Sequence, residues 1–342
     1  MTVNFIKGIH WGIRLLDSDS ATMSSPGALL SAKTGYFGKS SGEEGGAEPD
    51  PRIVLPENFG QATPTAGAGR AAAAVGPVGL AGRYVDKVLI VTGGSKGIGE
   101  GCVRVFMAAG ANCVFCARNE AVGKALEDQL NADAGNSGRA LFVKADVSLV
   151  SDLENLVNVT IETFGQIDCV INNAGWHPPP TKIDGFTVAN MQDLFQLNFI
   201  SIFAMCKIAL PHLRKVRGNI INMSSFVGAF GQAEAVTYAA TKGAITSFSK
   251  ALAIDEASSS GVRVNIVSPG NIWTPLWKAW SDGEADPAAA EEAGDRVQPM
   301  GRKGTIEETG RLCLCIAADL TFTTGVDHIQ SGGAELGYGL KA

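Results

Sequence analysis

The chain divides into a stretch without hydrophobic period and a longer one in which short apolar runs alternate with helical patterns. From Met1 to about Leu80 the hydrophobic residues are sparse and aperiodic, and Gly, Ala, Ser and Pro dominate, as in 40–46 and 67–74. Such a segment buries too little apolar surface to offset its ordering entropy, so residues 1–80 read as a disordered extension. A misplaced gene start competes with that reading. A targeting peptide over 1–16 is disfavoured, because Asp17 and Asp19 come at once with no cleavage pattern. The pattern changes after Arg83. Val88-Leu89-Ile90-Val91 is a continuous aliphatic run, as in a strand buried on both faces of a parallel sheet. Runs at 112–116, 140–143, 167–172, 219–223 and 327–330 repeat it, with order expected from Lys87. Helical patterns fill 100–109, 121–132, 151–164, 190–213 and 306–317, and a further helix carries Tyr238 and Lys242. The alternation predicts an α/β fold over 83–342. It is a single doubly wound parallel sheet of Rossmann type, with helices on both faces and ligands at the carboxyl ends of the strands.

Composition narrows the function classes. A net charge of -6 and the lack of any Lys/Arg cluster argue against a nucleic-acid partner. No run of eighteen apolar residues occurs, which argues against a membrane span. The seven cysteines are odd in number and scattered through apolar segments, as expected of buried thiols in a reducing, cytoplasmic compartment. Cys113 and Cys116 have C-x-x-C spacing, but they lie inside a strand pattern with no second pair, so no metal site is expected.

The first strand runs into Thr92-Gly93-Gly94-Ser95-Lys96-Gly97-Ile98-Gly99 and then a helix. Gly93 permits the tight turn, Gly97 a close approach to a pyrophosphate, and Gly99 close packing of helix on strand. The helix N-terminus offers free N–H groups to phosphates. The second strand ends at Ala117-Arg118, where NAD enzymes usually place the Asp or Glu that holds the ribose 2′-hydroxyl. A missing carboxylate together with Arg118 and Lys96 suits a 2′-phosphate and favours NADP(H). The bland alternative has Arg118 stacked on adenine or solvated. Asp146-Val147 closes the third strand, where the carboxylate can accept from an adenine amino group or simply cap the next helix. Asn173-Ala174-Gly175 closes the fourth. Trp176-His177-Pro178-Pro179-Pro180 is then a stiff loop over the same edge. His177 has no partner pair, so its expected place is the wall of a substrate pocket rather than a metal site. The 190–213 helix carries Asn198 at mid-length.

The strand at 219–223 stops at Ser224-Ser225, and a loop with Gly228 and Gly231 leads to the helix bearing Tyr238 and Lys242. Four residues apart, these two share a helix face. An ammonium beside a phenol lowers its pKa toward working pH, Ser225 can bond a substrate oxygen, and Tyr238 can then move the proton of an alcohol–carbonyl interconversion. Residues 276–301, polar and Ala-rich, read as a mobile substrate lid. Their tryptophans either stack on an apolar ring or pack the lid's underside.

Together, Thr92-Gly93-x-x-x-Gly97-x-Gly99, Asn172-Asn173-Ala174-Gly175, Ser225, Tyr238-x-x-x-Lys242 and Ser268-Pro269-Gly270 resemble the short-chain dehydrogenase/reductase family from about Arg83 onward. The resemblance implies an NAD(P)-dependent alcohol dehydrogenase. In it Asn198 completes a catalytic tetrad through a backbone-bound water, and Pro269, Gly270, Ile272 and Thr274 contact the nicotinamide carboxamide. Segments such as 176–180, 209–215, 268–277 and 332–339 resemble the 17-beta-hydroxysteroid dehydrogenases of that family. This implies a cytosolic homotetramer that oxidises an apolar alcohol such as estradiol with NAD. Gln232, Trp273, Leu276, Trp277 and Tyr338 then join His177 around the substrate. The Ala117-Arg118 pair and the N-terminal extension depart from that pattern. A sugar dehydrogenase of L-fucose type is the alternative enzyme, and a catalytically idle NADP(H)-binding sensor the alternative of another class.

Overall fold

The computed structural model of the protein describes residues 79–339. The disorder expected over 1–80 therefore falls, but for its last two residues, outside the described part. Structure begins earlier than Lys87: the turns at 79–86 bury Leu80 and Tyr84, and Tyr84 meets Phe106 edge-on at 5.1 Å.

The strands and helices alternate. The first half runs β1 (Val88–Thr92), α1 (Gly97–Ala108), β2 (Asn112–Ala117), α2 (Glu120–Ala132), β3 (Ala140–Lys144), α3 (Val150–Phe164) and β4 (Cys169–Asn172). It continues with α4 (Val188–Phe195), a π turn (Gln196–Ile200), α5 (Ser201–Val216), β5 (Asn219–Met223), α6 (Phe226–Phe230) and α7 (Val236–Ser259). β6 (Arg263–Pro269), α8 (Pro275–Ser281), α9 (Pro287–Arg296), α10 (Ile306–Ala318) and β7 (Asp327–Gln330) complete it. The strands form one seven-stranded sheet in the order β3-β2-β1-β4-β5-β6-β7, every neighbour parallel. The order reverses between β1 and β4, which opens a crevice at their carboxyl ends, where ligands bind in such sheets.

Alternate residues of each strand feed two cores. Leu89 and Val91 pack with α1, α2 and α10, while Ile90 packs with α3, α5 and α7. Each of these fully buried aliphatic side chains contributes about 1.5–3 kcal/mol of transfer free energy. On the first face, a Cβ at Gly101 would run into the Ile306 backbone, and one at Gly310 into the Gly101 carbonyl. The two glycines let α1 and α10 lie backbone against backbone.

Three differences from the sequence reading have physical causes. In the 167–172 run the strand proper begins at Cys169. The Asp168 amide and carbonyl still bond Val88 and Asn219 at 2.9 Å, while its carboxylate accepts from Lys87 and the Val88 amide at the strand entrance. The single helix expected over 190–213 is α4 and α5 joined by a π turn. Spanning Val188–Val216, it is long and apolar enough to cross a bilayer by length and composition alone, yet it packs on α3 and β4 as a core helix. The loop after Ser225 contains α6, capped by the Ser225 hydroxyl accepting from the Val227 amide at 3.2 Å.

Candidate active site

The turn between β1 and α1 is built by steric need. Gly93 and Gly97 sit at φ 65° and 58°, where side-chain-bearing residues are strained. A Cβ at Gly99 would collide with the Gly93 carbonyl. The turn after β4 clamps this one. The Asn173 and Ala174 amides both donate to Thr92 Oγ1, at 3.0 and 3.1 Å, and Asn173 Nδ2 donates to the Thr92 and Gly93 carbonyls. Ser95 is buried in the turn, and Ile98 packs on the core. Lys96 precedes α1 without any side-chain cap, so the first-turn amides of a twelve-residue helix are free for an anion. Thr274 lies 3.6 Å from where a Gly97 Cβ would stand, which brings the loop after β6 to the same turn. An uncapped helix start above glycines that admit no side chain fits a dinucleotide pyrophosphate.

At the neighbouring strand ends Arg118 and Lys96 are both exposed, and neither side chain makes a hydrogen bond or ion pair among the described residues. Asp146 Oδ1 accepts from the Ser148 amide and hydroxyl at 3.0 and 2.7 Å, which hold its carboxyl below the usual range, helped by the Arg118 charge. It caps its own turn and not α3. Val147 beside it is buried. Gly175, exposed at the end of β4's turn, faces Asn198 and Lys242: a Cβ there would stand 3.2 Å from Asn198 Oδ1 and 3.7 Å from Lys242 Nζ.

Ser225, Tyr238 and Lys242 come together at the end of β5. Gly228 admits α6 against the Lys242 backbone, and Ser224 Oγ donates to the Lys242 carbonyl at 2.8 Å. Lys242 is buried, donates to the Met223 carbonyl at 2.8 Å, and holds Nζ 5.6 Å from the Tyr238 ring centroid. Burial pulls its pKa down to about 8. The expected lowering of the tyrosine by this ammonium is not what the protein shows: burial pushes Tyr238 up to about 12, opposed by a hydrogen bond with Ser225.

Asn198 lies in the π turn with no exposed surface. Its Oδ1 accepts from the Trp176 amide at 2.9 Å, and its Nδ2 donates to the Trp176 carbonyl at 2.9 Å and to Thr241 Oγ1 at 3.2 Å. It thus pins the Trp176-His177 loop to α7. His177 stands with its ring 4.1 Å from that of Tyr238, its pKa lowered by burial and, less, by Lys242. Thr181 of the same loop donates its amide to the Glu234 carbonyl at 2.9 Å, and Glu234 is held at φ 60°. Thr241 and Glu234 occupy no motif position, and Thr92 enters the sequence pattern only as the first residue of the glycine motif, without its role as acceptor.

The remaining pocket candidates divide. Gln232 is exposed, as are Trp273 and Leu276, each about half open at 53% and 52%. Tyr338 lies in the last 3-10 turn, with its side chain outside the described part. Trp277 does not line an open face: it packs on Trp280 at 4.8 Å and under Lys303 Nζ at 4.8 Å, the underside reading. Nor is the lid loose coil. It holds α8, capped by Thr274, and α9, capped by Asp286. Pro269 is buried at the end of β6. Gly270 donates to the Gln330 carbonyl, and Ile272 bridges to Gly304. No group of three or more His, Cys, Asp or Glu side chains suited to a metal occurs among the described residues.

A short chain dehydrogenase family profile matches residues 87–285. The L-fucose dehydrogenase of Mus musculus is 48% identical over 260 residues, 76% of this chain and 92% of its own length. That of Bos taurus is 48% identical over 260 residues, covering 76% and 93%. Among solved structures, the Cj0485 dehydrogenase superposes with a TM-score of 0.67 at 28% identity, over 73% of this chain and 95% of its own.

Proposed function

The chain belongs to the short-chain dehydrogenase family and is an NAD(P)-dependent alcohol dehydrogenase, and on that premise we propose that it oxidises a sugar ring alcohol of L-fucose type. The observation that carries the substrate class is the likeness, 48% identical over 92% of their length, to proteins named L-fucose dehydrogenase. The exposed Gln232 and Glu234, in the loop that leads into the helix of Tyr238, suit a polyhydroxylated ring. A steroid alcohol is the second reading. It draws on the exposed Trp273 and Leu276 and on the resemblance to 17-beta-hydroxysteroid dehydrogenase type 14.

The dinucleotide, when bound, takes up or returns the hydride. The chain's own groups handle the oxygen and its proton. Ser225 and Tyr238 hold the substrate hydroxyl, and Tyr238 takes its proton as the carbonyl forms. With a phenol pKa near 12, that transfer needs help from Lys242, whose ammonium titrates near 8 beside the ring. In the reducing direction the neutral phenol is already the acid. By holding the Trp176 backbone, Asn198 keeps the adjacent His177 ring tilted against Tyr238 and so fixes the wall of the site. The uncapped start of α1 and the loop 269–274 would hold the dinucleotide, with Asp146 and Val147 beside its adenine end. Arg118 and Lys96, both unpaired among the described residues, favour a 2′-phosphate. A cytoplasmic homotetramer, implied by the family resemblance, is part of the same proposal.

A panel of L-fucose, estradiol and testosterone, each with NAD and NADP, tests the reading through kcat/KM. L-fucose should exceed both steroids. A steroid preference would overturn the sugar assignment, and a strong NAD preference would overturn the phosphate site.

A further inference from the structure

Lys303 lies outside every motif, in the segment between α9 and α10, and sequence gives it no role. Its side chain is only 5% exposed, which is rare for a lysine and requires compensation. Nζ pairs with Glu291 at 2.7 Å and Asp295 at 2.9 Å, donates to the Glu291 carbonyl at 2.9 Å, and caps the Trp277 ring at 4.8 Å. The ammonium holds the Glu291 carboxyl down to about 2, with Ser281 of α8 donating to the same side chain. A Cβ on Gly294 would strike the Trp277 ring and stand 3.2 Å from Lys303 Cε, so α9, the indole and the lysine stem meet in one close contact.

The next residue carries the contact onward. The Gly304 amide donates to the Asn271 carbonyl, the Trp273 amide to the Gly304 carbonyl, and Asn271 Nδ2 to the Gly294 carbonyl, all at 2.9 Å. Asn271 and Trp273 belong to the loop after β6, whose Thr274 both caps α8 and approaches Gly97 of the dinucleotide turn. One buried charge therefore joins α8, α9 and that loop.

We propose that Lys303 is a positioning residue that fastens the lid helices α8 and α9 to the loop 269–274, so that the occupied cofactor site presets the lid for substrate. This rests on the reading that the loop borders the dinucleotide. The charge, and not the length of the side chain, holds the clasp. Lys303→Met keeps the stem over Trp277 and removes the cation, leaving the Glu291 carboxylate to the Ser281 hydroxyl and that of Asp295 to the residue 303 amide.

The test uses the full chain with NADP(H) and NAD(H), and trypsin, which can cut the exposed lid after Lys278 and Arg296. In the parent protein the cofactor should slow lid cleavage. In Lys303→Met cleavage should be about tenfold faster and insensitive to cofactor, cofactor affinity should fall by no more than that same coupling factor, and the KM for the alcohol should rise about tenfold with kcat little altered. Lys303→Arg should restore protection, and Asp295→Asn should fall between, so the test survives a poorly folding Met variant. Unchanged cleavage with unchanged KM would overturn the proposal. So would a joint fall of kcat, cofactor affinity and Tm, which marks general loss of packing. If no sugar is turned over, the proposed substrate falls, but the cleavage assay needs only cofactor and still decides the role of Lys303.

Discussion

Replacing Asn198 by Ala removes the three hydrogen bonds through which α4–α5 hold the Trp176-His177 loop on α7. Each is worth about 1 kcal/mol net, so the loss is about 3 kcal/mol. Trp176 is partly open, so water can rescue its backbone groups, but Thr241 has no exposed surface and loses a donor to its hydroxyl. For a unit of this size about 3 kcal/mol lowers Tm by roughly 6–12 °C. The functional loss should exceed the stability loss at the assay temperature, because His177 no longer holds its ring against Tyr238. Calorimetry gives the Tm, and hydrogen exchange at the Trp176 amide gives the local release. A Thr241→Ala partner closes a double-mutant cycle, with a coupling of about 1 kcal/mol expected for the shared bond. A Tm within about 1 °C of the parent, with the Trp176 amide still protected, would refute the pinning argument.

Tyr238→Phe should leave cofactor affinity intact and lower kcat by about a hundredfold or more; retained turnover in steady-state assays would remove the tyrosine from the proton path. Arg118→Ala should lower kcat/KM with NADP about tenfold and leave NAD unchanged, as for loss of a single exposed phosphate contact; equal effects on both cofactors would place the guanidinium on adenine instead. Stability should fall steeply above pH 9. Burial raises the thiols of Cys113, Cys116, Cys169 and Cys206, with Cys116 and Cys206 at about 12, against an ordinary value of 9.0. Above pH 9 the unfolded chain releases these protons while the folded one keeps them, and each thiol then costs about 1.4 kcal/mol per pH unit. Lys242, depressed to about 8, acts in the opposite sense between pH 8 and 10.5 but is one group against several. A Tm that holds level from pH 8 to 10 would contradict the buried-thiol account.

The sheet was legible because a strand buried on both faces must read as an unbroken aliphatic run. Val88–Val91 does so, Asn219–Met223 departs from it only at the buried Asn219 and Asn222, and their ends carry the turns that make the site. The electrostatics were not legible. Spacing puts Lys242 one turn from Tyr238, but only the fold bends its ammonium onto the Met223 carbonyl and buries the phenol, so burial outweighs attraction. The π turn at Asn198 and α6 arise from tertiary contacts, in particular the fit of Gly228 on the Lys242 backbone. Glu234 at positive φ carries no compositional mark, and Lys303 reads in sequence as an ordinary solvated charge. The two tryptophans of α8 left two readings open, and the packing of Trp277 against Gly294 chose between them.

The backbone contact between α1 and α10 has a bearing on how the chain is made. The helix that starts at the dinucleotide turn rests on Gly310, more than two hundred residues later in the sequence. A nascent chain leaves the ribosome with its cofactor turn already synthesised but with nothing yet behind that helix. Until residue 318 has emerged, α1 lacks its partner for the face that meets α10, so the turn proposed to hold the dinucleotide would stay unsupported until nearly the whole domain is made. A chain stopped short of α10 would have every glycine of the turn and still be a poor binder.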